Sequence, residues 1–227
     1  MTGDEGLTRA TLLSWGLMGV ALFLVGYATD DVVLRLLAKP FPVVALLTWT
    51  LLRATGPAAR PVAIGLALSL VGDVLLELPG LFLPGLVAFL LAHIAYIVGF
   101  TRDAPVLRPS LAGPSGVYVT LLLGVLWPGL GELRAPVATY AAVIGTMMWR
   151  AAVRATTGRA GVLGLLGASI FALSDTLIAL DRFYTPLEGV RPVIILTYWA
   201  AQAGIALSLP SSGERHPAGR DSERESH

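Results

Sequence analysis

The chain of 227 residues contains no cysteine. Disulfides, thiolate nucleophiles and cysteine-ligated metals are therefore excluded, and cysteine usage says nothing about compartment. Charge is nearly as scarce. Asp, Glu, Lys and Arg make up 14% of the chain, against roughly 25% in an ordinary soluble domain, and these residues crowd toward the two ends. Lys39 is the only lysine among many arginines; with the excess of Ala, Leu, Gly and Val, this suggests a GC-rich bacterial coding sequence. The net charge of +1 offers nothing to a phosphate backbone, so nucleic-acid binding is not expected.

What is present is apolar. Hydrophobic residues make up 55% of the chain and the mean hydropathy is +0.74. Such a chain cannot present a wettable surface, which excludes a soluble enzyme and a disordered chain alike. A membrane helix needs about 20 mostly apolar residues. Eight such runs are read, at 10–29, 40–55, 61–78, 81–100, 115–130, 135–153, 160–180 and 190–209. Lys39-Pro40, Gly56-Pro57, Arg60-Pro61, Leu78-Pro79-Gly80, Ala104-Pro105 and Arg134-Ala135-Pro136 separate them. The first run is not expected to be a signal peptide, because Asp4 and Glu5 precede it and no small-x-small site follows before Asp30. The expected fold is all-α: a polytopic domain of eight transmembrane helices over 1–209, then a disordered tail over 210–227.

Arginine asymmetry sets the expected orientation. Arg9, Arg53, Arg60, Arg102, Arg108, Arg150, Arg154, Arg159, Arg215, Arg220 and Arg224 fall on one side, and Arg35, Lys39, Arg134, Arg182 and Arg191 on the other. Both termini and the tail are thus expected in the cytoplasm, with the protein in a bacterial inner membrane.

An ionisable group near the bilayer centre costs at least about 2.5 kcal/mol on insertion scales, so it is a functional candidate by default. The third run carries Asp73 and, one turn on, Glu77; the fourth His93 and Tyr96; the seventh Ser174 and Asp175; the eighth Tyr198 and Gln202. At about 1.5 Å per residue, Asp73 lies near 18 Å and Asp175 near 22 Å from the inner surface. One outward-opening pocket is expected to gather Lys39, Asp73, Glu77, Asp175 and Tyr198. An offset of 102 residues relates Asp73 to Asp175, Tyr96 to Tyr198 and Gly65 to Gly167, a hint of a four-helix tandem repeat.

Structural roles compete at each position. Either aspartate alone could pair with Arg53 or Arg150. Glu77 reads as a solvated rim residue, and Lys39 at a helix entrance would by default snorkel to the interface. Tyr96, Tyr198 and Gln202 are often interhelical glue, and Ser174 has no histidine at helical spacing to activate it. His93 has no second histidine in any run, so no metal site is expected.

Lys39-Pro40, Gly72-Asp73-x-x-Leu76, Phe89-x-x-x-His93-x-x-Tyr96-x-x-x-Phe100, Ser174-Asp175-x-x-Ile178-Ala179 and Tyr198-x-x-x-Gln202 together resemble the YhhN family. That family includes the lysoplasmalogenases, and the resemblance covers about residues 10–209. Ile178 stands where the family commonly has Leu. The resemblance implies a membrane hydrolase that cleaves the vinyl-ether bond of a lysoplasmalogen, a lysophospholipid, to a fatty aldehyde and a glycerophospho-base. It places the chemistry on Asp73 and Asp175, with Lys39, His93, Tyr198 and Gln202 as companions, and requires no metal or organic cofactor.

Two carboxyl groups suit that chemistry. Hydrolysis of a vinyl ether begins with protonation of its β-carbon, which leaves an oxocarbenium ion that water attacks. One carboxylic acid supplies the proton; a second, anionic group stabilises the cation and deprotonates water. Glycosidase carboxylate pairs follow the same logic. Three readings compete. Midplane carboxylates and a possible repeat also suit a proton-coupled transporter. An intramembrane aspartyl protease fits poorly, since Leu70-Val71-Gly72-Asp73 lacks the first glycine of Gly-x-Gly-Asp and no Pro-Ala-Leu follows Asp175. A lipid-sensing protein that kept the fold and lost catalysis is the third.

Overall fold

A computed structural model describes the backbone of residues 3–212 and the side chains of residues 10–212. Nine α-helices occur among the described residues: α1 (Gly3–Ala28), α2 (Val32–Ala38), α3 (Phe41–Arg53), α4 (Ala59–Glu77), α5 (Phe82–Asp103), α6 (Gly113–Leu126), α7 (Arg134–Ala155), α8 (Arg159–Phe183) and α9 (Arg191–Leu207). No strand occurs among them; a single antiparallel bridge joins Ala54 to Ser211.

Each expected apolar run holds one of these helices, and α2 is an addition. Asp31 caps α2 by accepting from the Leu34 N–H at 3.0 Å. The helical path then passes through Lys39 and Pro40, both in right-handed helical conformation, into α3. Proline has no N–H to continue the ladder, so the helix breaks there. The segment Val32–Arg53 is therefore one interrupted helical stretch. Among the described residues six segments are long and apolar enough to cross a membrane: Ala10–Ala28, Val32–Arg53, Ala59–Glu77, Phe82–Asp103, Pro109–Gly129 and Arg159–Phe183. The remaining two, α7 and α9, include a helix with Arg134, Arg150 and Arg154 and one of only 17 residues.

The outer surface is apolar and the interior is partly polar, the reverse of a soluble bundle. Leu17, Leu51, Leu121 and Leu163 are exposed, whereas Lys39, Asp73, His93, Arg154 and Gln202 are buried. Close backbone approach, rather than water exclusion, must then hold the helices together. The tightest pairings are α4 with α5 and α8 with α9. A Cβ on Gly72 would lie 2.6 Å from the Phe89 ring, so glycine there lets α5 close on α4 beside Asp73. A Cβ on Gly167 would lie 2.7 Å from the Ile205 nitrogen, and the same economy seats α9 on α8. Tyr96, Phe100, Phe171, Leu66, Met147 and Ile205 fill the space between these pairs.

The end of the bundle away from the aspartates is pinned by arginines. Arg154 donates to Asp103 Oδ2 at 2.7 Å, to Ser208 Oγ at 2.8 Å and to the Ser208 carbonyl at 2.7 Å, joining α7, α5 and the end of α9. Arg150 donates to Thr101 Oγ1 at 3.0 Å and to the carbonyls of Val106 and Ala104. Neither aspartate is among these partners of Arg150. Beyond α9, Thr55 N donates to the Pro210 carbonyl at 2.8 Å and Ser212 N to the Arg53 carbonyl at 3.0 Å. Residues 213–227, on which most of the expected tail falls, lie outside the described residues.

Candidate active site

Asp73 lies one turn before the end of α4, and Asp175 two turns before the end of α8. The break between α2 and α3 brings Lys39 down beside Asp73. Its Nζ lies 3.5 Å from Asp73 Oδ1 and 3.0 Å from Glu77 Oε1, and also donates to the Asp73 carbonyl at 3.4 Å. Lys39 is 5% exposed, so it does not snorkel as expected. The two carboxylates on α4 hold it inside: an ammonium already paired there gains little by reaching for the interface. Glu77 is exposed at the end of α4, at the rim as expected, and is also a partner of Lys39.

The second oxygen of Asp73 accepts from Tyr198 OH at 2.8 Å. Tyr198 thus serves the aspartate directly, and its ring packs edge-on against Phe89 with centroids 5.8 Å apart. Asp175 has a different set of neighbours. Tyr140 OH donates to its Oδ2 at 2.7 Å. His93 Nε2 is 3.7 Å from the same oxygen, too far for a hydrogen bond. His93 is fully buried, with its ring edge-on to Phe171 at 4.6 Å and to Tyr140 at 5.4 Å. Among the described residues no lysine or arginine lies within ion-pair distance of Asp175.

A cleft of about 220 Å³ is lined by Lys39, Asp73, Glu77, Asp175 and Tyr198, all five residues expected in one pocket. Ser174 also borders it, but its hydroxyl donates to the Ile194 carbonyl at 2.9 Å, a bond between α8 and α9. Tyr96, Gln202 and His93 do not line it. Tyr96 OH donates to Gln202 Oε1 at 2.6 Å, and Ser69 Oγ lies 3.5 Å from the same hydroxyl. That pair ties α5 to α9 deeper in the bundle. Arg35, Asp181, Arg182 and Arg191 line the cleft together with the carboxylates. Among the described residues no group of three potential ligands is placed to hold a metal ion.

Sequence reasoning overlooked Tyr140. It stands three residues after Val137 and four before Ile144, both buried, so helical periodicity places it on the inner stripe of α7. A buried tyrosine hydroxyl needs a partner, which is the signal that could have linked it to an intramembrane carboxyl.

The arrangement is that of an α-helical membrane protein with one buried and one half-buried carboxyl group facing one charged cleft. The YhhN family model matches residues 34–209, and the chain belongs to that family. It is 39% identical to human lysoplasmalogenase TMEM86B over 145 residues, which is 63% of this chain and 60% of that protein, less than two thirds of its length. It is 35% identical to bovine lysoplasmalogenase TMEM86A over 201 residues, 78% of this chain and 79% of that protein. A lysoplasmalogenase of Mycobacterium bovis is 34% identical over 148 residues, 60% of this chain and 55% of that protein. No solved structure matches the chain.

Proposed function

We propose that the protein is a membrane hydrolase that cleaves the vinyl-ether bond of lysoplasmalogens, releasing a fatty aldehyde and a glycerophospho-base. Its place is a bacterial inner membrane, with eight spans and both termini cytoplasmic, so that the cleft opens on the far side. The observation that carries the reading is the cleft itself: Asp73 and Asp175 line one cavity in a chain of the YhhN family. Relatives named lysoplasmalogenases support the substrate class.

Charge accounting divides the labour. Asp73 and Glu77 are the counter-charges of the buried Lys39, and both Asp73 oxygens are engaged, by Lys39 and by Tyr198. Asp73 is therefore the anionic member. Asp175 has no cation beside it, and only Oδ2 accepts from Tyr140. Asp175 is the proton donor. Its proton goes to the β-carbon of the vinyl ether, and the positive charge moves to the ether carbon and oxygen. Asp73 stabilises that oxocarbenium ion and takes a proton from the attacking water. The hemiacetal so formed collapses to aldehyde and alcohol, and the net consumption is one water. Tyr140 and Tyr198 are positioning residues. His93 lines neither cavity and packs behind Asp175, with its Nε2 3.7 Å from Oδ2.

The test is incubation of purified protein with lysoplasmenyl-ethanolamine, lysoplasmenyl-choline and their acyl analogues. Free aldehyde from the vinyl-ether lipids alone is expected. Fatty acid released from the acyl analogues would instead mean phospholipase chemistry. Proton-gradient-driven uptake into proteoliposomes without turnover would mean the transporter, a reading with no observation in its favour.

A further inference from the structure

Asp175 borders a second cavity. A slot of about 60 Å³ lies between α5, α6, α7 and α8, and it shares Asp175, Leu76, Phe82, Phe89 and Ile178 with the charged cleft. The two spaces meet at that carboxyl but differ in chemistry. The cleft carries Lys39, Arg35, Arg182 and Arg191. The slot is walled by Leu86, Leu122, Leu126, Val137 and Ile144. Apart from Asp175 Oδ1 at the junction, its few polar side-chain atoms are already satisfied. Tyr118 OH bonds to Thr176 Oγ1 at 2.7 Å and to the Ala172 carbonyl at 3.1 Å, and Tyr140 OH serves Asp175. A polar ligand has nothing to gain there.

The slot exists because α6 packs on α7 and lightly on α8, while α5 packs on α4 and α7; α5 and α6 form no packing interface. Alongside α8 it follows Asp175 to Phe183, about two helical turns or roughly 12 Å. At the far end stand the buried Leu126 and Val137, part of an apolar cluster separate from the main core.

We propose that this slot is the hydrocarbon subsite: it takes the part of a single-chain lipid's alkenyl tail nearest the head, the rest leaving between α5 and α6, so that the bond joining tail to head lies at Asp175 and the phosphate meets the arginines of the cleft. The inference rests on the hydrolase reading for its choice of ligand. Its own ground is the junction of an apolar slot and a cationic cleft at one carboxyl. A second apolar groove, of about 310 Å³ between α1, α3 and α9, lacks that junction, since Leu13, Gly16, Trp49 and Trp199 line it and no carboxyl does.

Two experiments separate the slot from the reaction. A non-hydrolysable 1-O-alkyl lysophospholipid with a diazirine at the chain end is photolysed on the full-length protein, with and without excess unlabelled lysoplasmenyl lipid. Competable label on α5 and α6 is expected. Competable label confined to α1, α3 or α9, or no competable label at all, overturns the proposal even if aldehyde is released. Label in the slot without any aldehyde release leaves the slot standing and removes the hydrolase reading. In parallel, Ala141→Leu and Ala179→Leu narrow the slot from α7 and from α8. Each is expected to lower the ratio of kcat/KM for octenyl over butenyl substrates by about tenfold. An unchanged ratio in both folded variants contradicts the subsite.

Discussion

Replacing Lys39 by methionine removes the ammonium and keeps most of the side-chain volume. In the folded protein that ammonium is 3.5 Å from Asp73 Oδ1 and 3.0 Å from Glu77 Oε1. At an effective dielectric of about 20, each contact is worth on the order of 5 kcal/mol of Coulomb attraction. Desolvation of the three charges offsets much of this, and deleting one partner of a buried pair costs about 3–5 kcal/mol. The Glu77 side chain is 28% exposed and can rehydrate, whereas that of Asp73 is 3% exposed and cannot. The lower end of the range, about 3 kcal/mol, is therefore expected. For a chain of this size that corresponds to a fall in Tm of roughly 6–12 °C. Aldehyde release should fall by about 100-fold, because Asp73 loses the charge that fixes it. Thermal unfolding in detergent and an aldehyde assay read the two effects. A cycle with Asp73→Asn should show a coupling of at least about 1 kcal/mol. Wild-type stability and activity in Lys39→Met, or additivity in the cycle, would refute the reasoning.

Tyr140→Phe deletes one hydrogen bond to Asp175, and should lower kcat about tenfold with KM little changed; steady-state kinetics check it. Gly72→Ala pushes a Cβ into the Phe89 ring and should reduce both stability and activity. Gly124→Ala meets nothing within 4 Å and should be neutral or stabilise by up to about 1 kcal/mol; paired melting curves distinguish the two. Arg154→Met leaves Asp103 and Ser208 without their donor, and should lower Tm by roughly 6–12 °C, from about 3 kcal/mol lost, at a distance from the cleft.

The helices were legible because hydropathy and punctuation agree: Pro, Gly and Arg stand where the apolar runs stop. Asp73, Asp175, Lys39, Glu77 and Tyr198 were legible as one pocket because depth follows from residue count. Less legible was anything decided by a partner on another helix. Position alone sends a lysine at a helix entrance to the interface, yet Glu77 and Asp73 keep Lys39 inside. The short α2 hides because its seven residues precede a Lys-Pro break, although the Asp31 cap marks its start. Tyr140 hides because a lone tyrosine in an apolar run gives no hint of which carboxyl it meets. Tyr96 and Gln202 bond each other rather than the cleft, which only a three-dimensional arrangement of α5 and α9 decides.

The measurement that bears most directly on the paired-carboxyl mechanism is aldehyde release in D2O by wild-type protein, Asp73→Asn and Asp175→Asn, with the product trapped by borohydride reduction and weighed by mass spectrometry. The wild type should yield aldehyde with one deuterium on the carbon next to the carbonyl, delivered in the protonation step. Both variants should lose at least about 100-fold in rate while remaining folded. Undiminished release by both variants, or wild-type aldehyde free of deuterium, would contradict the mechanism.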